Sequence, residues 1–122
     1  MKKRLFSLFL CLALVLSLVG CVSTGKQGGK YKIYLITMDQ MDQHWVNVDA
    51  GAKKAVSELG NVDYQWLAPD VKDDAKQIEC INNAVAGGAD AILLAANGPD
   101  AVTSALKEAT EAGVKIIYVD SA

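Results

Sequence analysis

The sequence predicts an α/β fold in which a parallel sheet of about four strands carries flanking helices. Three observations predict it. From Tyr31 onward the spacing of apolar residues switches repeatedly between short β-rich runs and helical stripes. The segments alternate strand, helix, strand, helix, strand, helix, strand, an order that calls for parallel strands joined by right-handed crossovers. The strand segments are nearly continuously apolar, as strands are when helices cover both faces of a sheet.

Each element has its own signal. Lys32-Ile33-Tyr34-Leu35-Ile36-Thr37 is rich in β-formers and reads as a buried strand. Trp45, Val48, Ala52, Val56 and Leu59 then recur at spacings of three and four, the core stripe of an amphipathic helix closed by Gly60. Val62 to Leu67 reads as the second strand. Val71, Ala75, Ile78, Ile81 and Val85 repeat the helical spacing, and Gly87-Gly88 stops that helix. Ala91-Ile92-Leu93-Leu94 is a third strand, apolar on both faces. Pro99 to Ala112 carries Val102, Ala105, Leu106 and Ala109, has proline near its first turn, and ends at Gly113. Lys115 to Val119 is the fourth strand. The segments show no similarity to one another, so the chain is not a repeat array. Asp120 ends the last strand two residues before the end of the sequence, and outer strands of so small a sheet would leave apolar surface uncovered. The chain is therefore expected to be the first part of a larger protein, either as a fragment of it or as a piece that needs a partner to complete it.

The N-terminus is of another kind. Met1-Lys2-Lys3-Arg4 is basic, and Leu5 to Val19 is an apolar run of fifteen residues. That run is shorter than the roughly 20 residues that span a bilayer, and with a basic start and small residues at its end it describes a secretory signal peptide. Leu18-Val19-Gly20-Cys21 resembles the lipobox of bacterial lipoproteins, which implies cleavage after residue 20 and a diacylglyceryl group on Cys21. Two acyl chains anchor a protein where one binds only marginally. Residues 21–30 contain Ser23, Thr24, Gly25, Gly28 and Gly29 and read as a flexible tether.

Removal of Lys2, Lys3 and Arg4 with the signal changes 12 basic against 14 acidic residues to 9 against 14, a net charge of about −5. Such a body gives no support to nucleic-acid binding, which needs clustered Lys and Arg. With Cys11 removed and Cys21 lipidated, Cys80 is alone, so no intramolecular disulfide forms in the mature chain and Cys80 reads as a small buried hydrophobe. No Gly-x-Gly-x-x-Gly follows a strand and no Gly-Lys-Ser/Thr phosphate loop is present, so no nucleotide cofactor is expected.

In open parallel sheets ligands bind beyond the carboxyl ends of the strands, where the strand order reverses. Those ends here are Thr37-Met38-Asp39, Leu67-Ala68-Pro69-Asp70, Ala95-Ala96-Asn97 and Asp120. The loop Thr37-Met38-Asp39-Gln40-Met41-Asp42-Gln43-His44-Trp45 offers carboxylates, amides, an imidazole and an indole within nine residues. A polyhydroxylated ligand such as a sugar uses that mixture, with polar groups for its hydroxyls and a flat ring over its C–H face. Each residue has a second reading. Trp45 falls on the helical stripe and can pack in the core; Asp42 can cap the helix; His44 can be an exposed first-turn residue. Asp39, Asp42 and His44 form no tight metal-ligand motif, and no metal is expected. Asp70, Asp73, Asp74 and Asp100 suit helix N-termini through the helix dipole, and Asn97-Gly98-Pro99 suits a turn.

Several segments together resemble the type 1 periplasmic sugar-binding proteins, the ribose-binding class of ABC-transporter receptors. They are Tyr31 to Thr37, His44 to Ala55, Ala86 to Leu94 and Ala112 to Asp120. The resemblance implies that residues 31–122 are part of the N-terminal lobe of a two-lobe fold that closes over a sugar and delivers it to an ABC permease. It implies ligand contacts at Asp42, His44, Trp45 and Asp120, with Met38, Asp39 and Asn97 as weaker candidates, and no catalytic residue or cofactor. Where the family often has Asn-Pro-Phe-Phe this chain has Asp42-Gln43-His44-Trp45, and where it often has arginine this chain has Ser121, so a sugar other than ribose is expected. One lobe alone is expected to bind weakly. The location implied is outside the cytoplasmic membrane, held to its outer face by lipid or facing a periplasm. A surface sensor of the same fold that signals to a membrane kinase is the alternative; an extracellular carbohydrate-processing enzyme using Asp42 and Asp120 is a more distant one.

Overall fold

The computed structural model describes residues 29–120. The expected signal peptide, Cys21 with the expected tether up to residue 28, and Ser121-Ala122 lie outside the described residues. The elements are β1 (Tyr31–Ile36), α1 (Gln43–Leu59), β2 (Val62–Leu67), α2 (Asp74–Ala86), β3 (Ala91–Leu94), α3 (Pro99–Glu111) and β4 (Lys115–Tyr118). All strand pairs are parallel and the sheet order is β2-β1-β3-β4. The chain steps from β1 to one side, then crosses back to the other, so the order reverses between β1 and β3.

Alternation along the strands assigns residues to two faces. Tyr34 and Ile36 of β1 stand beside Ile92 and Leu94 of β3, and with Ile81, Ala84, Val102, Ala105, Leu106 and Ala109 they form the main core beneath α2 and α3. Ile36, Ile81, Ile92, Leu94 and Val102 are all fully buried, and each such side chain contributes about 1.5–3 kcal/mol through removal from water. The opposite face carries α1, which packs mainly on β2. Cys80 is half-buried against the main core. Burial, and then the charge of Glu79, pushes its thiol above the ordinary range, consistent with a packing role rather than a reactive one.

Local chemistry explains where the elements begin and end. Asp42 caps α1 through its side chain, and Gly60 closes the helix in the left-handed conformation at φ 73°, its N–H donating to Val56 O. Leu59, expected on the core stripe, is exposed. A 17-residue helix is about 25 Å long against about 20 Å for a six-residue strand, so its last turn overhangs the sheet. α2 begins later than the apolar spacing suggests. Asp73 is its N-cap and accepts from Lys76 N, which leaves Val71 exposed in the preceding loop and Ala75 on the solvent side. Asp70 pairs with Lys76, whose hydrogen bond and charge hold that carboxyl below its usual range. β4 is an edge strand with one neighbouring strand, and Ile117 and Tyr118 are exposed. At the amino end of the sheet, Asp90 Oδ2 accepts from Lys32 N at 2.7 Å and Lys32 Nζ donates to Gly87 O at 3.1 Å, which fixes the start of β1.

Candidate functional site

The carboxyl ends of the strands gather the loops that follow β1, β2, β3 and β4. The β1 loop is shaped by its own polar side chains. Thr37 Oγ1 donates to Asp39 O at 3.0 Å and accepts from Trp66 Nε1 at 2.9 Å. Asp39 is buried, and its Oδ1 accepts from Met41 N at 2.8 Å and Asp42 N at 2.7 Å. A carboxylate that receives consecutive backbone N–H groups fixes a tight turn. Gln40 N donates to Pro69 O, which ties this loop to the one after β2. Asp39 thus builds the loop, while Met38 is half-buried at its root.

The turn delivers Asp42 to the start of α1, where Oδ1 accepts from His44 N at 2.9 Å. The capping alternative therefore describes Asp42, which remains exposed beside the site. His44 in the first turn reaches Asp120 beyond β4: His44 Nε2 lies 3.5 Å from Asp120 Oδ1, and both side chains are 53% exposed. A pair formed by residues far apart in the sequence thus links the first turn of α1 to the end of β4. Asp120 sits at φ 65°, a left-handed conformation that Asp tolerates better than most residues and that recurs at functional sites.

Trp45 is 3% exposed, so the packing alternative describes its place. Its ring meets His44 edge-on, with centroids 4.6 Å apart at 74°, and supports the imidazole from below. Its Nε1 is buried without a hydrogen-bond partner, alone among the described side-chain atoms in this. Asn97, after β3, is also engaged: Nδ2 donates to Asp74 Oδ1 at 2.6 Å. A Cβ at Gly98 would stand 2.8 Å from both Asp74 carboxylate oxygens, so glycine permits that approach.

Of the sequence-predicted residues, the structure brings His44, Asp120 and Asp42 together on the exposed rim with Trp45 beneath; it places Asp39 and Asn97 in the supporting network. The sequence reading missed Gln77 and Asp49. Gln77 in α2 is fully buried and bonded to Thr37 O, Ala95 O and Asn97 N. Asp49 of α1 is buried, accepting from Tyr64 Oη at 2.9 Å and Lys53 Nζ at 2.7 Å. Burial first, and then the Asp49 carboxylate, pushes the Tyr64 phenol far above its usual range. Among the described residues no group of three or more His, Cys, Asp or Glu side chains is placed to hold a metal ion.

Comparison with known proteins agrees with this fold. A family model described as periplasmic binding protein domain matches residues 33–122. A solute binding protein of an ABC transporter from Clostridium phytofermentas, with bound L-rhamnose, is 29% identical at a TM-score of 0.72, over 79% of this chain and 30% of its own. LsrB from Clostridium saccharobutylicum, in complex with AI-2, is 27% identical at 0.72, over 75% and 28%. A solute binding protein from Agrobacterium vitis bound with α-D-tagatopyranose is 26% identical at 0.71, over 75% and 30%. The chain spans less than a third of the length of each of these structures. With its parallel sheet, its polar strand-end rim and a family match over nearly all of its described residues, the chain belongs to the periplasmic binding protein domain family.

Proposed function

We propose that this chain is the ligand-capturing, membrane-anchored part of an extracytoplasmic solute-binding lipoprotein of an ABC-type sugar importer. It takes a monosaccharide or similar polar small molecule and performs no covalent chemistry. The observation that carries the reading is the His44–Asp120 pair at the carboxyl end of the sheet, exposed and flanked by Asp42. An imidazole can donate and accept, and two carboxylates accept, so neighbouring sugar hydroxyls find partners in either direction. Trp45 contributes from below by holding the imidazole edge-on. The sugars and sugar-like ligands named with the similar structures support the substrate class. Lipidation at Cys21 would keep the captured ligand close to the permease.

Calorimetric titration of the protein as its gene encodes it, with L-rhamnose, D-tagatose and D-ribose, tests the reading. Saturable binding of at least one sugar is expected, weakened about tenfold or more by His44→Ala or by Asp120→Ala, the loss of about one charged hydrogen bond. Thermal stability should change little, because both side chains are half exposed. Absence of binding across the panel, or release of free sugar from a panel of glycosides, would overturn it. Mass spectrometry of the mature protein checks the anchor: loss of residues 1–20 and a diacylglyceryl mass on Cys21 are expected, and an unmodified Cys21 refutes it.

A further inference from the structure

Gln77 is a fully buried primary amide in the first turns of α2. Its Nε2 donates to Thr37 O at 3.1 Å and Ala95 O at 2.9 Å, and its Oε1 accepts from Asn97 N at 2.9 Å. Both amide hydrogens and the carbonyl oxygen are thereby used, and each partner is backbone.

The place of those partners gives the bonds their meaning. Thr37 and Ala95 follow β1 and β3, the adjacent strands between which the sheet order reverses. The ladder joins these strands as far as Ala95 N donating to Ile36 O at 2.9 Å. Beyond that rung the chain after β1 turns toward α1 on one face, and the chain after β3 turns toward α3 on the other. The Thr37 and Ala95 carbonyls are left at the fork, and Gln77 supplies donors to both. It also holds the amide of Asn97, whose side chain and neighbouring Gly98 lie against Asp74 one turn earlier in α2.

We propose that Gln77 is a positioning residue of the ligand crevice: a wedge from α2 that fixes how far the ends of β1 and β3 stand apart, and so where the loops Asp39 to His44 and Asn97 to Gly98 are carried. Its consequence for ligand rests on the sugar-binding reading above; the wedge itself does not.

The test compares wild type, Gln77→Met and Gln77→Glu by amide hydrogen exchange without ligand, then by titration with L-rhamnose, D-tagatose and D-ribose. The reporters are the Thr37 and Ala95 amides, which donate to Leu67 O and Ile36 O and not to Gln77. The controls at the opposite end are the Lys115 and Val114 amides, which donate to Asp90 O and Ala109 O. In Gln77→Met the reporters should exchange about tenfold faster or more while the controls stay within about twofold, the pattern of local opening. Affinity for whichever sugar binds should fall about tenfold or more. Gln77→Glu keeps the volume and the acceptor for Asn97 N but lacks the paired amide donors; it should open the same reporters and serves where Gln77→Met does not fold. Uniform acceleration of reporters and controls would reduce Gln77 to a general stabiliser and overturn the proposal, as would unchanged reporters. Unchanged affinity in a variant that opens locally would overturn its role at the crevice. A wild-type protein that binds none of the sugars refutes the proposed function, and the exchange pattern then decides the wedge.

Discussion

The two faces of the sheet are built on different principles. Beneath α2 and α3, Tyr34, Ile36, Ile92 and Leu94 meet a closely packed set of aliphatic side chains. On the α1 face the buried and half-buried groups include Asp49, the Tyr64 hydroxyl that donates to it, the Trp66–Thr37 bond and the unpaired Trp45 Nε1, and Ile117 at the far strand is half exposed. One face stabilises by excluding water. The other face also carries hydrogen-bonded polar groups, among them the Trp66–Thr37 bond at the root of the β1 loop. Apolar burial and polar bonding are thus divided between the sides of a single four-stranded sheet.

The largest expected effect breaks the division at its centre. Leu94→Ala should cost about 2–5 kcal/mol, because a fully buried aliphatic is lost from a core that relaxes only partly. Ile117→Ala on the other face should stay within about 0.5 kcal/mol. Urea unfolding of both variants checks this, and equal losses would show that the faces share one core. Next in size, Tyr64→Phe should cost about 1.5–3 kcal/mol at neutral pH through the lost bond to the Asp49 carboxylate.

The same tyrosine predicts a pH dependence. Its folded pKa is raised, chiefly by burial, so its contribution is complete below the unfolded value of about 10 and is lost as pH rises above it. Stability of wild type should therefore fall on the alkaline side more steeply than that of Tyr64→Phe, whose deficit narrows there. Parallel curves would place Tyr64 in water. A smaller effect than that of Tyr64→Phe is expected at Trp45→Phe. The lost ring volume opposes relief of a buried unpaired donor worth about 1–3 kcal/mol, so the net change should stay within about 1 kcal/mol. A cost above about 3 kcal/mol would mean that Nε1 finds a partner in solution.

The strands and most helix boundaries were legible because apolar spacing reports burial directly. Ile92 and Leu94 sit in a short apolar run, and Asp42 and Gly60 carry the chemistry of helix ends. Val71 and Leu59 depart for the same reason: helical spacing alone predicts both as core, whereas a cap at Asp73 and the end of α1 leave both in water. Gln77 and Asp49 gave no signal. A polar residue within a helix reads as solvent-facing unless its partners are known, and those partners lie on other strands.

By itself the sequence determined the alternation of elements, the parallel sheet and the set of polar residues at its strand ends, because these depend on local spacing and on neighbours close in the chain. Only the tertiary structure decided that His44 meets Asp120, that Trp45 lies beneath rather than beside them, and that Gln77 holds the fork between β1 and β3. Those relations depend on strand order and register, which bring together residues far apart in sequence and which no local pattern encodes.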